Sequence, residues 1–149
     1  MNVFYAQSRA NLSYSDRPTR TPLFSHWADV GDVVTSMVRT QLMAGGREVV
    51  LFATISGRLG VLLPLTSRGD IDFYTQLEMC MRQEAPPLCG RDHLAYRGYF
   101  GPVKECVDGD LCAQFTSLPA AKQKQVADDH GRTVAEIQRK LEDTRASVL

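Results

Sequence analysis

The sequence predicts an α+β fold, a short antiparallel β-meander followed by a C-terminal helical domain of about four to five short helices. Three observations predict it. Between residues 30 and 65, short apolar, β-branched runs alternate with glycine-containing turns. After Arg68-Gly69 the apolar residues change from a strand-like to a helical spacing. From there to the end, helix-capping residues recur at short intervals.

The elements follow in order. Residues 1–29 read as an extended or poorly ordered leader, since Pro18, Pro22 and the polar residues around them offer no face to bury. Residues 30–38 suit a first strand, and Gly45-Gly46 signals a turn. Residues 48–55 and 59–65 are two apolar runs joined at Ser56-Gly57-Arg58, a β-hairpin with Gly57 in the turn. Pro64 fits the end or edge of a strand. The strand region is therefore 30–68 and the helical region 69–149. Asp70 is the expected N-cap of a helix that places Phe73, Leu77 and Cys80 on one face, with Tyr74 and Met81 alongside. Pro86-Pro87 stops it. Asp92 is the expected cap of a helix over 93–99, and Asp108 or Asp110 of one reaching Phe115. Ser117 is the expected cap of the next, with Pro119 in its first turn. Thr133 and Glu136 form a capping box for the last helix, which aligns Val134, Ile137, Leu141 and Val148.

Composition excludes several classes. The chain of 149 residues has no net charge, so it lacks the basic excess of a general phosphate binder. No run of apolar residues is long enough for a membrane span. The first ten residues do not form a secretory signal. Cys80, Cys89, Cys106 and Cys112 contain no C-x-x-C pair, and they read as reduced thiols.

No catalytic or metal set assembles. Cys89 and His93 are a close pair, but zinc needs a second pair and none has the spacing. Asp108-Gly109-Asp110 begins like a calcium loop and lacks its closing glutamate. The chain has no G-x-S-x-G elbow and no glycine-rich phosphate loop. His26, His93 and His130 are scattered and read as surface or capping residues. No cofactor is expected. Arg91, Arg97 and Lys104 alternate with Tyr96, Tyr99 and Phe100, a pattern that could stack single-stranded nucleic acid. Balanced local charge favours the plainer reading, aromatics packed inward and arginines paired with nearby acids. Arg91, His93, Tyr96, Arg97 and Lys104 remain the candidate partner or nucleic-acid contacts.

Residues 86–94 (PPLCGRDHL), Pro102-Val103-Lys104 and residues 107–115 (VDGDLCAQF) resemble the C-terminal end of a known family. It is the family of large β-propeller subunits of splicing factor 3b, in the U2 small nuclear ribonucleoprotein. Val30-Gly31-Asp32, Gly45-Gly46, Ser56-Gly57, Lys122-Gln123-Lys124 and residues 140–143 agree with it. The hairpin alone fits a wider superfamily, with the large subunits of the cleavage and polyadenylation specificity factor and of the damaged-DNA-binding complex. The resemblance covers residues from about Val30 onward, while 1–29 and 146–149 match poorly.

The resemblance implies three β-propellers closed by a helical domain, and a nuclear scaffold in pre-mRNA splicing without catalytic activity. It implies partners among the splicing factor 3b subunits, the HEAT-repeat subunit above all, and RNA contact that is mostly indirect. Closing a propeller takes at least four blades of about 40 residues each. The strands here supply part of one blade. They are expected to leave strand edges and an apolar sheet face uncovered, to dock on the propeller portion that this sequence lacks.

Overall fold

The computed structural model describes residues 2–7, 29–86, 93–99, 103 and 105–147, with residues 2–7 described as backbone. The elements are β1 (Asn2–Gln7), β2 (Val34–Gln41), β3 (Glu48–Thr54), β4 (Leu59–Leu65), α1 (Arg68–Glu84), α2 (His93–Arg97), β5 (Cys106–Asp108), α3 (Gly109–Ala113), α4 (Ala120–Asp129) and α5 (Val134–Ala146). A 3-10 turn, Gln114–Ser117, follows α3.

The expected meander is present. β2, β3 and β4 pair antiparallel, with Val50 opposite both Arg39 and Leu62. Gly57 turns the hairpin at φ 79°, a left-handed angle that favours glycine. The first strand begins at Val34, four residues later than expected, because the Gly31-Asp32 bend precedes it.

Two strands extend this meander, and the sheet order is β2-β3-β4-β1-β5. β1 runs parallel to β4 and antiparallel to β5. Asn2–Gln7, expected as part of an extended or poorly ordered leader, instead form a strand inside the sheet. Parallel pairing with β4 satisfies backbone donors and acceptors that a free leader would give to water.

One sheet face carries the main core. Val49, Val61, Leu63, Leu65 and Val107 pack against Phe73, Tyr74, Leu77 and Met81 of α1, Leu111 and Cys112 of α3, Phe115, and Val126, Ile137 and Leu141 of α4 and α5. The i, i+4 spacing of Phe73, Leu77 and Met81 gives α1 its apolar stripe. Each such side chain contributes about 1.5–3 kcal/mol by burial. The other face holds a small cluster of Phe52 and Cys106, with Val30, Leu62 and Val103 against it. Gly60 lies directly opposite Phe52, and a Cβ there would come 2.0 Å from the ring.

The helix caps divide. Thr133 and Glu136 form the capping box of α5. Asp108 caps α3, receiving the amides of Asp110 and Leu111 at 3.0 and 3.1 Å. Asp110 itself lies in the first turn of α3. Asp70 is not a cap: Ser67 holds the N-cap position of α1 without a side-chain hydrogen bond. Asp70 instead reaches Lys140 of α5 at 2.5 Å. Ser117 is not a cap either, since it closes the 3-10 turn and the extended backbone of Pro119 starts α4. Asp92 and Val148 lie outside the described residues. His130, expected as a surface or capping residue, takes the capping place and is buried. It ends α4, and its Nε2 lies 3.1 Å from the Phe73 carbonyl oxygen.

Candidate interaction site

Two features can meet other molecules: the cluster around α2, and the open side of the sheet. The first begins at Asp108, where the chain passes from β5 into α3. Its Oδ1 caps α3, so Oδ2 is left to face α2. There Arg97 Nε stands at 2.8 Å and His93 Nε2 at 3.0 Å. Arg97 also donates from Nη1 to the Asp29 carbonyl at 3.1 Å, while the Asp29 amide donates to the Arg97 carbonyl at 2.7 Å. Below, the Asp108 amide donates to Glu78 Oε1 of α1 at 3.0 Å.

Electrostatics follow from this packing. Burial alone would raise the Asp108 pKa, but the His93 ring 3.0 Å away and the Arg97 charge outweigh it and hold the carboxyl below its usual range. Glu78 has too little opposing charge, so burial raises it, with the Asp108 charge acting in the same direction. The Cys106 thiol, buried beside both carboxylates, is pushed up to about 12.

The candidate contacts from the sequence separate here. His93 and Arg97 come together on Asp108. Arg97 is 12% exposed, and its guanidinium serves the fold. Tyr96 rests on Gly31, where a Cβ would come 2.1 Å from its hydroxyl, and the Arg97 guanidinium lies 5.3 Å from its ring centre. Tyr99 is exposed. Arg91 and Lys104 lie outside the described residues. Among the described residues no group of acidic, cysteine or histidine side chains could hold a metal ion. Cys80 is half-buried, Cys106 and Cys112 are buried, and all three are free thiols.

The second feature is β2. It ends the sheet, and every residue in it except the half-buried Thr40 is exposed. Met37 is 59% and Val38 56% exposed, on opposite faces of the strand. Val33 before it and Ile55 in the adjoining turn are 64% and 72% exposed, with the Ile55 amide bonded to the Val33 carbonyl at 2.9 Å. An uncovered apolar face is expected from the sequence, though not at these particular residues. Their signal is adjacent apolar pairs, Val33-Val34 and Met37-Val38, which defeat the in–out alternation of a half-buried strand.

Residues 2–117 match the CPSF A subunit region family. The chain belongs to that family. The match takes in β1, within the stretch 1–29 expected to match poorly. Among individual proteins, the chain is 52% identical over 120 residues to spliceosome-associated protein 130 A of Arabidopsis thaliana, covering 80% of this chain and 10% of that protein. It is 53% identical over 116 residues to splicing factor 3B subunit 3 of Drosophila melanogaster, covering 78% and 10%. The probable splicing factor 3B subunit 3 of Dictyostelium discoideum is 52% identical over 120 residues, again covering 80% and 10%. The chain thus spans about a tenth of the length of these relatives.

Proposed function

We propose that the chain is a non-catalytic scaffold piece of a splicing factor 3b-type complex in the nucleus, and that it docks through β2. The exposed β2 strand carries this reading. A terminal strand with valine and methionine on both faces is a liability unless another surface covers it. The names of the relatives supply the setting, and their much greater length supplies the covering material. The occupant is an apolar sheet face of the propeller-forming part of such a protein. Through it the piece joins the other splicing factor 3b subunits, the HEAT-repeat subunit included.

RNA binding through residues 91–104 draws little support from the geometry. The nucleic-acid reading needs a free basic groove, and Arg97 is occupied by Asp108 and Asp29.

Affinity capture from nuclear extract tests the proposal. The tagged chain is expected to recover splicing factor 3b subunits, and Met37→Asp combined with Val38→Asp to reduce recovery at least about tenfold, since whichever strand face is covered must then bury an unpaired charge. A folded chain that recovers none of these subunits contradicts it.

A further inference from the structure

α2 is too short to stand alone. It has five residues, none buried, whereas isolated helices are marginal below about 12–15 residues. Its position must come from its attachments, and these converge. His93 and Arg97 both end on Asp108 Oδ2, and Arg97 exchanges hydrogen bonds in both directions with Asp29. Tyr96 packs on Gly31 and Val30 rests against Phe52 and Cys106, so the strand lead at 29–31 is fastened to α2 and the small cluster rather than to the main core. Between α2 and β5 lies a small cavity lined by Glu78, His93, Leu94, Arg97, Val103 and Cys106, so packing beneath the helix is incomplete.

We propose that the Asp108 carboxylate is a latch: its contacts with Arg97 and His93 hold α2, and with it the 29–31 lead, against β5 and α3. When it is lost, the two pieces open together and uncover Cys106 and Phe52, while the core built on α1, α4 and α5 stays closed. The cap on α3 uses the other carboxylate oxygen, so the latch and the cap can be separated chemically.

The cysteines report on this directly. Cys106 lies in the small cluster on the α2 side of the sheet, and Cys112 lies fully buried in the main core. A covered, protonated thiol at Cys106 alkylates slowly until its cover lifts. In a Cys89→Ser background, alkylation of the full chain by iodoacetamide at one pH, read thiol by thiol by peptide mass spectrometry, tests the latch. Asp108→Asn keeps a good N-cap for α3 and removes the charge. It is expected to speed Cys106 at least about tenfold, the scale of a lost charge-assisted hydrogen bond, and to leave Cys112 unchanged. Arg97→Gln, which spares the cap entirely, is expected to do the same. Amide exchange at Asp29 and at Gly98, which bonds to the Leu94 carbonyl at 2.8 Å, is expected to quicken by one common factor. The latch is overturned if Cys106 and Cys112 accelerate together in both variants, or if Cys106 keeps its wild-type rate in both.

Discussion

At the scale of single residues, charge and space explain several positions that composition leaves blank. Asp32 accepts from the Ser56 hydroxyl and the Val33 amide, which ties the bend before β2 to the β3–β4 turn. Its pKa is lowered from 3.8 to about 2, first by the Ser56 hydroxyl, then by Thr54 and the Val33 amide. An acid whose pKa falls on folding stabilises the fold above its unfolded value. That support is lost as pH drops through the folded one. The anchor therefore holds down to about pH 2. Carboxyl titration by NMR is expected to place the Asp32 midpoint near 2 and to move it toward 3.8 in Ser56→Ala. A midpoint that ignores the substitution removes the hydroxyl as its cause. Gly60 is a matter of space, because Phe52 lies across it. Gly60→Ala must displace the ring, at a cost of about 1–3 kcal/mol measurable by denaturant unfolding. Glu78 is a matter of satisfaction. Glu78→Gln keeps an acceptor for the Asp108 amide, whereas Glu78→Ala leaves that amide unpaired and is expected to cost about 1–3 kcal/mol more.

At the scale of elements, local chemistry and distant pairing were legible to different degrees. The capping box of α5 and the stripe of α1 follow from residues three and four apart, and sequence reveals them. Thr133→Ala is expected to cost about 1 kcal/mol, seen as a lower melting temperature, while an unchanged melting temperature would show the box to be idle. β1 was not legible as a strand of this sheet. Its pairing is with β4, more than fifty residues on, and no local pattern announces a parallel partner. β5 is three residues long, too short for periodicity to register. Asp108 was readable as a cap because its amide donors lie two and three residues away. Its hold on Arg97 and His93 was not, because only tertiary packing brings α2 across. Asp70 and Ser117 show the converse: each has the right residue type and the wrong position, and in Asp70 an ion pair to Lys140 takes the carboxylate. The alternation of basic and aromatic residues at 91–104 reads alike for a stacking platform and for a short helix packed inward, and α2 is neither: none of its residues is buried, and Arg97 is held by Asp108.

At the scale of the whole molecule, one side of the sheet is buried beneath four helices and the 3-10 turn, and its β2 border is open. The imbalance suits a part of an assembly better than a free body. The chain alone is expected to associate through that border, and Met37→Asp with Val38→Asp to raise its solubility while removing its capture by splicing factor 3b subunits. Light scattering of both forms at equal concentration checks the first expectation. The central claim is that β2 is the docking strand, and amide hydrogen exchange of the chain, free and in the captured complex, tests it most directly. Slowed exchange concentrated in Val34–Gln41 on binding is the result expected. Unchanged exchange there, with protection arising instead on the outer face of α5 or around α2, would contradict it.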